Sequence, residues 1–336
     1  MHNFKKNMKK ILQLLVLSFS CITTFAQIKV NDKKEVIDAF KNTETVFILS
    51  NVFDSNAYDK ILKDSWTVTT YKIVNINEFN LEDYLDGKHS FVYIDHNRYV
   101  STRNVLVISS LEFFMFDTEA KKKEIEKLKK KSPKKQKDYI IMNEERINIA
   151  SIELFYNDNE DDYPVQSKNI PISWTYNNDL FENYKLGFLK NYFQEVSSFI
   201  SENKGRGMYG GECTPEIKNI KNHTLYISDF ALGTPDPTKS TKDQSKEKIE
   251  KQKIEVFREY KYKYELTNNE AINTKILNGD EFYYMRFFTI GYQKFIEIIN
   301  SKTGNIIYKT YKPGVGFDLE SKHLKEIANT ALTGKI

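Results

Sequence analysis

Cysteine and histidine are scarce in this chain of 336 residues, which has two cysteines and five histidines. A thioredoxin-like redox site needs a Cys-x-x-Cys pair, and Cys21 and Cys213 are far apart. Four histidines lie beyond the N-terminal segment, with no two at helical ligand spacing, which disfavours a zinc site. These are His89, His96, His223 and His323. The Gly-x-Ser-x-Gly elbow of serine hydrolases is also absent. The composition therefore supports no enzyme class, metal or cofactor.

The N-terminus has the pattern of a signal peptide. Four lysines precede a short apolar run over 11–19, which is much shorter than the roughly 20 residues of a membrane-spanning helix. Small residues at the −3 and −1 positions predict cleavage between Ala26 and Gln27. An alternative is a lipoprotein that is acylated at Cys21, although the preceding Ser-Phe-Ser fits that signal poorly. We therefore predict an exported protein, periplasmic or extracellular, with a lipid anchor as the alternative.

The positive charge of the full chain comes from the signal segment. The chain has 50 basic and 46 acidic residues, and four of the basic residues lie in 1–26. The mature chain is therefore balanced, at 46 of each sign. A protein without a net positive field lacks the main source of affinity for nucleic acid, so we do not expect a nucleic-acid partner.

The apolar patterns predict a mixed α/β fold. A strand over 45–49, a helix over 54–66 and a strand over 67–74 form a βαβ unit with a parallel strand pair. Near the C-terminus, strands over 294–299 and 305–311 flank a glycine-containing turn and predict a β-hairpin, followed by a helix over 317–332.

Aromatic residues at three- and four-residue spacing predict a long amphipathic helix over 179–203. We assign 27–175 to a first α/β domain, 176–205 to this linking helix and 206–336 to a second α/β domain, with a charged low-complexity segment at 234–253. The helix would be about 37 Å long and would brace both domains.

The two halves show signs of an internal duplication. The segment 223–227 resembles 44–48, and the order strand, helix, glycine, strand recurs after each. We therefore expect two related sheet domains.

A lysine-rich segment, Lys121–Lys137, is the strongest local concentration of charge. It predicts either a solvated helix face or a surface for anionic lipid.

A glycine-rich loop follows the long helix, over 205–213. It lacks the Lys-Ser/Thr of a phosphate-binding loop and follows a helix rather than a strand, so a nucleotide site is disfavoured. Its side chains are still candidates for ligand binding: Arg206, Tyr209, Glu212 and Cys213. Cys213 has three possible roles, as a buried thiol, a reactive thiol or half of an intermolecular bridge.

The Ala26-Gln27 junction, the Trp66-Thr-Val-Thr-Thr-Tyr71 motif and the hairpin turn over 300–305 together resemble uncharacterised secreted proteins of Bacteroidetes-type bacteria. The resemblance implies export and a fold, and carries no catalytic residue.

Three functions stay open from the sequence. The first is a non-enzymatic binding or interaction module of the cell envelope, whose partner is an envelope protein or a small ligand. The second is a hydrolase of envelope glycans or peptides that uses Asp or Glu. The third is a membrane-anchored structural partner.

Overall fold

A computed structural model describes residues 27–100, 105–131, 145–156, 172–207, 210–233, 254–290, 293–313 and 319–336. The described chain forms two six-stranded mixed sheets with helices packed on them, so the predicted mixed α/β class is confirmed. The first sheet consists of β1 (Ile28–Val30), β2 (Glu44–Ile48), β3 (Thr70–Ile73), β4 (His89–Val100), β5 (Val105–Phe116) and β6 (Arg146–Leu154). The second consists of β7 (Glu212–Cys213), β8 (Leu225–Ser228), β9 (Tyr264–Thr267), β10 (Tyr283–Ile290), β11 (Gln293–Asn300) and β12 (Ile306–Pro313).

The helices of the described ranges pack on both sheets. They are α1 (Lys34–Lys41), α2 (Ser55–Ser65), α3 (Thr118–Lys129), α4 (Ile172–Asn177), α5 (Leu186–Ser201), α6 (Phe230–Gly233), α7 (Asn269–Leu277) and α8 (Ser321–Thr333), with 3-10 helices at Leu81–Tyr84 and Pro215–Lys221.

The two sheets have the same topology. The strand order is β1-β6-β5-β4-β2-β3 in the first and β7-β12-β11-β10-β8-β9 in the second, so each strand has a counterpart six numbers later. The strand directions also agree. In the first sheet β2 is parallel to both β3 and β4, in the second β8 is parallel to both β9 and β10, and the remaining pairs of both sheets are antiparallel. The expected pair of related sheet domains is therefore present.

A β-bulge occurs at the same place in both sheets and fixes how they align. Ile149 in β6 has no residue opposite it in β5, and Ile307 in β12 has none opposite it in β11. Their carbonyls accept equivalent hydrogen bonds, from the amide of Asn31 at 2.7 Å and from that of Thr214 at 3.0 Å. Because a bulge interrupts the ladder at a defined residue, the match aligns the two sheets residue by residue.

The predicted βαβ unit is β2-α2-β3, and its strands are parallel as expected. Asp54 caps α2 by accepting a hydrogen bond from the amide of Ala57 at 2.8 Å. Trp66 follows the helix and packs edge-on against Phe47 of β2, with 5.3 Å between ring centroids. The predicted C-terminal hairpin is also present as β11 and β12.

The linking helix is shorter than the predicted 176–205. Helix α5 spans Leu186–Ser201, about 24 Å, while Phe181 and Tyr184 are buried in irregular chain before it. There the Asn183 amide donates to the carbonyl of Glu153, and its oxygen accepts from the amide of Phe155, both at 2.8 Å. The aromatic spacing therefore predicted correctly that these side chains are buried. It did not predict the conformation, because the hydrogen bonds of the Asn183 side chain hold this segment in place of helical backbone hydrogen bonds.

Helix α5 packs between the two sheets. On one side, Phe193 meets Phe47 of the first sheet at 5.5 Å between centroids. On the other, Phe188 lies 5.8 Å from Tyr284 of the second sheet, and Asn191 accepts a hydrogen bond from the Tyr284 hydroxyl at 3.0 Å. The two sheets therefore share this helix as part of one core.

The lysine-rich segment is described as far as Lys131, and 132–137 lie outside the described residues. Lys121 is fully buried, with its ammonium 2.7 Å from Glu124 and 4.8 Å from the Phe116 ring centroid. Lys129 pairs with Glu82 at 2.7 Å. Lys121 is therefore part of the fold, while Lys122, Lys123 and Lys127 to its C-terminal side are exposed.

Candidate binding site between the two sheets

Four charged residues lie side by side across the second sheet. Arg286 of β10 pairs with Glu297 of β11, Glu297 pairs with Lys309 of β12, and Lys309 pairs with Glu212 of β7. Cross-strand partners share one face of a sheet, so these side chains form a row of alternating sign, which we call the charged row. Three of the four are buried, and only Glu212 is largely exposed, at 58%.

Helix α5 and the segment after it add two more charges to this row. The Glu195 carboxylate lies 3.0 Å from Arg206 Nη1 and 3.0 Å from Arg286 Nη2. Arg206 in turn reaches Glu212, with 2.7 Å between Nη2 and Oε1. Buried charges are tolerated when they are paired in this way. The result is an ion network where the first half of the chain meets the second.

Gln27, the predicted first residue of the mature chain, lies against this network. Its side-chain amide nitrogen donates to the Tyr192 hydroxyl, and its oxygen accepts from Arg286 at 3.5 Å. The residue is only 2% exposed. Ala26 lies outside the described residues.

The buried part of the network has an excess of positive charge. Arg206, Arg286 and Lys309 face two buried carboxylates, those of Glu195 and Glu297. Burial raises the pKa of Glu195, although both arginines oppose the shift. Burial, with Arg206 nearby, lowers the pKa of Lys309, whose ammonium donates to the carbonyl of Gly207 at 2.7 Å. Glu212 balances the network from the surface.

A groove of about 490 Å³ opens beside this network; we call it the Arg206 groove. Its apolar side is formed by Phe199, Pro215, Ile306 and Ile307. Its polar side includes Ser198, Thr214, Asn305, Glu195, Glu202, Lys204, Arg206 and Glu216. Arg206 lies with its guanidinium carbon 4.8 Å from the Phe199 ring centroid, and its buried Nε has no hydrogen-bond partner among the described residues. The groove thus combines apolar surface with a buried arginine, one of whose donors has no partner among the described residues.

The glycine-rich loop has a structural explanation. The backbone of Arg206 bonds in both directions with Val30, at 3.2 and 3.0 Å, so the loop adds to the edge of β1. A Cβ atom at Gly205 would lie 2.3 Å from that of Asp32, and Gly210 has a φ of +102°. Glycine at 205 therefore allows the close approach to β1.

The structure brings together two of the four candidate residues from the sequence, Arg206 and Glu212. Cys213 is partly buried, with Sγ 3.5 Å from the carbonyl of Gly334. Of the two candidates that the structure brings together, Arg206 lines the groove; Glu212 bonds to Arg206 but, like Cys213, is not among the residues that line it. Tyr209 lies outside the described residues.

Sequence reasoning missed Glu195, Arg286, Glu297 and Lys309. One signal was present: Arg286 and Glu297 each interrupt a strongly apolar run, in Tyr-Tyr-Met-Arg-Phe-Phe and Phe-Ile-Glu-Ile-Ile. A lone charge in the middle of a buried strand needs a partner. The partner's identity depends on strand register, which one sequence does not reveal.

The aligned row of the first sheet is different. The counterparts of Arg286, Glu297, Lys309 and Glu212 are Tyr93, Glu112, Ser151 and Lys29. Only the glutamate recurs, and burial raises the pKa of Glu112 to about 7 against the opposing effects of the Ser110 hydroxyl and Arg146. The same topology thus forms without the two buried cations, so the fold does not require the charged row.

A second polar cluster involves His96, whose two ring nitrogens lie 2.7 Å from Ser109 Oγ and 2.6 Å from Thr175 Oγ1. Burial lowers the pKa of His96 to about 4, so the ring is neutral near pH 7. Ser109 is fully buried, and Asp95 bonds to Arg146 and to the His96 amide. The cluster therefore lacks the accessible nucleophile and the carboxylate–imidazole contact of a catalytic triad.

In the described ranges, no group of three or more His, Cys, Asp or Glu side chains could hold a metal ion. Within the same ranges, no helix has the length and apolarity needed to cross a bilayer. Comparison with protein-family models, curated proteins and solved structures finds no match to this chain. The resemblance to secreted Bacteroidetes-type proteins stays a prediction.

Proposed function

We propose that this protein is an exported, non-enzymatic binding module and that its ligand occupies the Arg206 groove. The observation that carries the proposal is the buried Arg206, which lines a groove of about 490 Å³ and whose Nε has no hydrogen-bond partner among the described residues. That volume falls in the range of roughly 300–1,000 Å³ that is typical of small-molecule sites. Most such sites pair apolar walls with a few polar groups that orient the ligand, and the groove has both.

The polar atoms of the groove suit binding better than hydrolysis. A glycosidase pair needs one carboxyl that stays protonated and another that is free to attack or to activate water. Each glutamate of the groove already has a partner. Glu195 pairs with two arginines, and Glu202 pairs with Lys204 at 2.5 Å. Glu216 accepts hydrogen bonds from the Tyr283 hydroxyl at 3.0 Å and from the side-chain amide of Asn300 at 2.6 Å. The salt bridge from Lys204 also lowers the pKa of Glu202. These contacts favour the binding module over the hydrolase.

Export is the second part of the proposal and rests on the N-terminal sequence. The basic segment, the short apolar run and the Ala26-Gln27 junction support it. Intact mass and N-terminal sequencing of the protein from its native cell would test it. A chain that begins at Gln27 supports a periplasmic or extracellular protein, whereas a chain that begins at an acylated Cys21 supports the membrane-anchored alternative.

Ligand binding is tested by filling the groove. Thr214 lines the groove and is exposed, so Thr214→Trp would occupy the space with little effect on the core. Thr274→Trp, at an exposed threonine of α7 that does not line the groove, is the matched control. We would screen small carboxylates, sugars and short peptides by saturation-transfer NMR.

We expect at least one class of compound to bind the unchanged protein and the Thr274→Trp control, but not Thr214→Trp. Equal binding to all three proteins would place the ligand elsewhere and contradict the groove. Conversion of a bound compound to product by the unchanged protein would contradict the non-enzymatic function.

A further inference from the structure

We infer that the Arg206 groove recognises a carboxylate group, and that this carboxylate replaces Glu212 as the partner of the Arg206 guanidinium. The inference rests on the proposed function and names the ligand class of the same groove. It follows from the charge balance of the network, the geometry of Arg206 and the exposure of Glu212.

The charge balance calls for an anion at the surface side of the network. Three buried cations face two buried carboxylates, and the remaining negative charge is supplied by Glu212, which is 58% exposed. An uncompensated charge in a buried site costs several kcal/mol, so some anion has to be present. A carboxylate from a ligand would meet this requirement as well as the carboxylate of Glu212 does.

The geometry of Arg206 favours a planar carboxylate. Nη1 is directed to the buried Glu195, while Nε and Nη2 form the other edge of the guanidinium. Glu212 bonds to Nη2 alone, at 2.7 Å, and among the described residues Nε has no hydrogen-bond partner. Arginine binds carboxylates best through two parallel N–H···O bonds. A ligand carboxylate that meets both Nε and Nη2 would satisfy the donor that Glu212 leaves free.

A ligand carboxylate can replace Glu212 at Arg206 with little rearrangement, because Arg206 is buried and Glu212 is exposed. Arg206 is held in place: its side chain is 5% exposed, its backbone bonds to Val30, and its ring partner is Phe199. Glu212 lies on a two-residue edge strand and can turn to water without losing burial. A ligand carboxylate brings a negative charge to Arg206 in place of that of Glu212, so the network stays balanced when Glu212 is displaced.

The test uses Glu212→Gln, which removes the resident carboxylate but keeps the side-chain shape. Glu78→Gln, at an exposed glutamate of the first half, is the matched control. Binding of acetate and of inorganic phosphate is measured by calorimetry, and the Arg206 Nε–H resonance is followed by NMR. We expect acetate to bind Glu212→Gln about tenfold more tightly than the unchanged protein or the control, with a shift of that resonance.

Absence of acetate binding to a folded Glu212→Gln variant would overturn the inference, and so would tighter binding of phosphate than of acetate. Adding Arg206→Gln to the Glu212→Gln variant should abolish the effect; acetate binding that survives would also overturn it. The two proposals fail separately. A groove ligand without a carboxylate would leave the binding function intact and refute this inference, whereas a ligand that binds Thr214→Trp as well as the unchanged protein would contradict the groove itself.

Discussion

Replacement of Glu195 by glutamine should lower the free energy of unfolding by about 3 to 5 kcal/mol, the usual cost of removing one partner from a buried ion pair. The Glu195 carboxylate is 1% exposed and lies 3.0 Å from both Arg206 and Arg286. Glutamine fills the same volume, so no cavity adds to the effect. Burial raises the pKa of Glu195 and by itself would favour a neutral side chain, but Arg206 and Arg286 stay buried and lose their partner at 3.0 Å, and we expect this loss to dominate. The loss of charge leaves three buried cations with one buried carboxylate, that of Glu297.

Urea unfolding followed by circular dichroism at neutral pH would measure this change. Glu202→Gln is the control, because Glu202 lies just after the same helix and is exposed, so its replacement should alter stability very little. The double variant Glu195→Gln, Arg286→Gln should recover part of the loss, because it removes one of the uncompensated cations.

A Glu195→Gln variant as stable as the Glu202→Gln control would refute the reasoning, since it would mean that the arginines do not depend on the carboxylate. If Glu195→Gln does not fold, the double variant decides: it must then be the more stable of the two. A double variant that is less stable than the single one would contradict the charge count.

Two further predictions concern backbone packing and pH. Gly205→Ala should destabilise the protein by about 1 to 3 kcal/mol, because its Cβ would lie 2.3 Å from that of Asp32. Gly207→Ala should be nearly neutral, because its Cβ would meet no atom of the described residues within 4 Å. Equal melting temperatures for the two variants would contradict the close approach at Gly205. The carboxyl of Glu112 titrates near 4.5 when unfolded and about 7 when folded, so the cost of burying its charge appears as the pH rises through that range. The free energy of unfolding of Glu112→Gln should therefore match that of the unchanged protein below pH 4.5 and exceed it by about 3 kcal/mol above pH 7. Parallel stability curves across this range would show that Glu112 is not the group responsible.

The local elements could be predicted because their information is local. The helix α2 is predicted by its cap Asp54 and its apolar face, the strands around it by their β-branched residues, and the hairpin of β11 and β12 by the glycine in its turn. Each of these signals lies within about a dozen residues. The duplication could also be predicted, since the order of elements repeats.

The linking helix and the charged row show where such reasoning ends. Aromatic spacing indicates which side chains are buried, but Asn183 decides that the chain before α5 is irregular, and its partners at 153 and 155 are distant in sequence. The charged row depends on the register of four strands, so Arg286 and Glu297 become neighbours only after the sheet has formed. Long-range pairing of this kind is invisible to local patterns.

The position of α5 between the two sheets affects how the protein can be divided. A fragment that begins after this helix would leave Tyr284 and the charged row facing water, and a fragment that ends before it would remove Phe193 from the core around Phe47. The segment that links the halves in sequence is thus a structural part of both. Cooperative unfolding of the whole chain, rather than stepwise loss of one half and then the other, is the behaviour that this shared helix imposes.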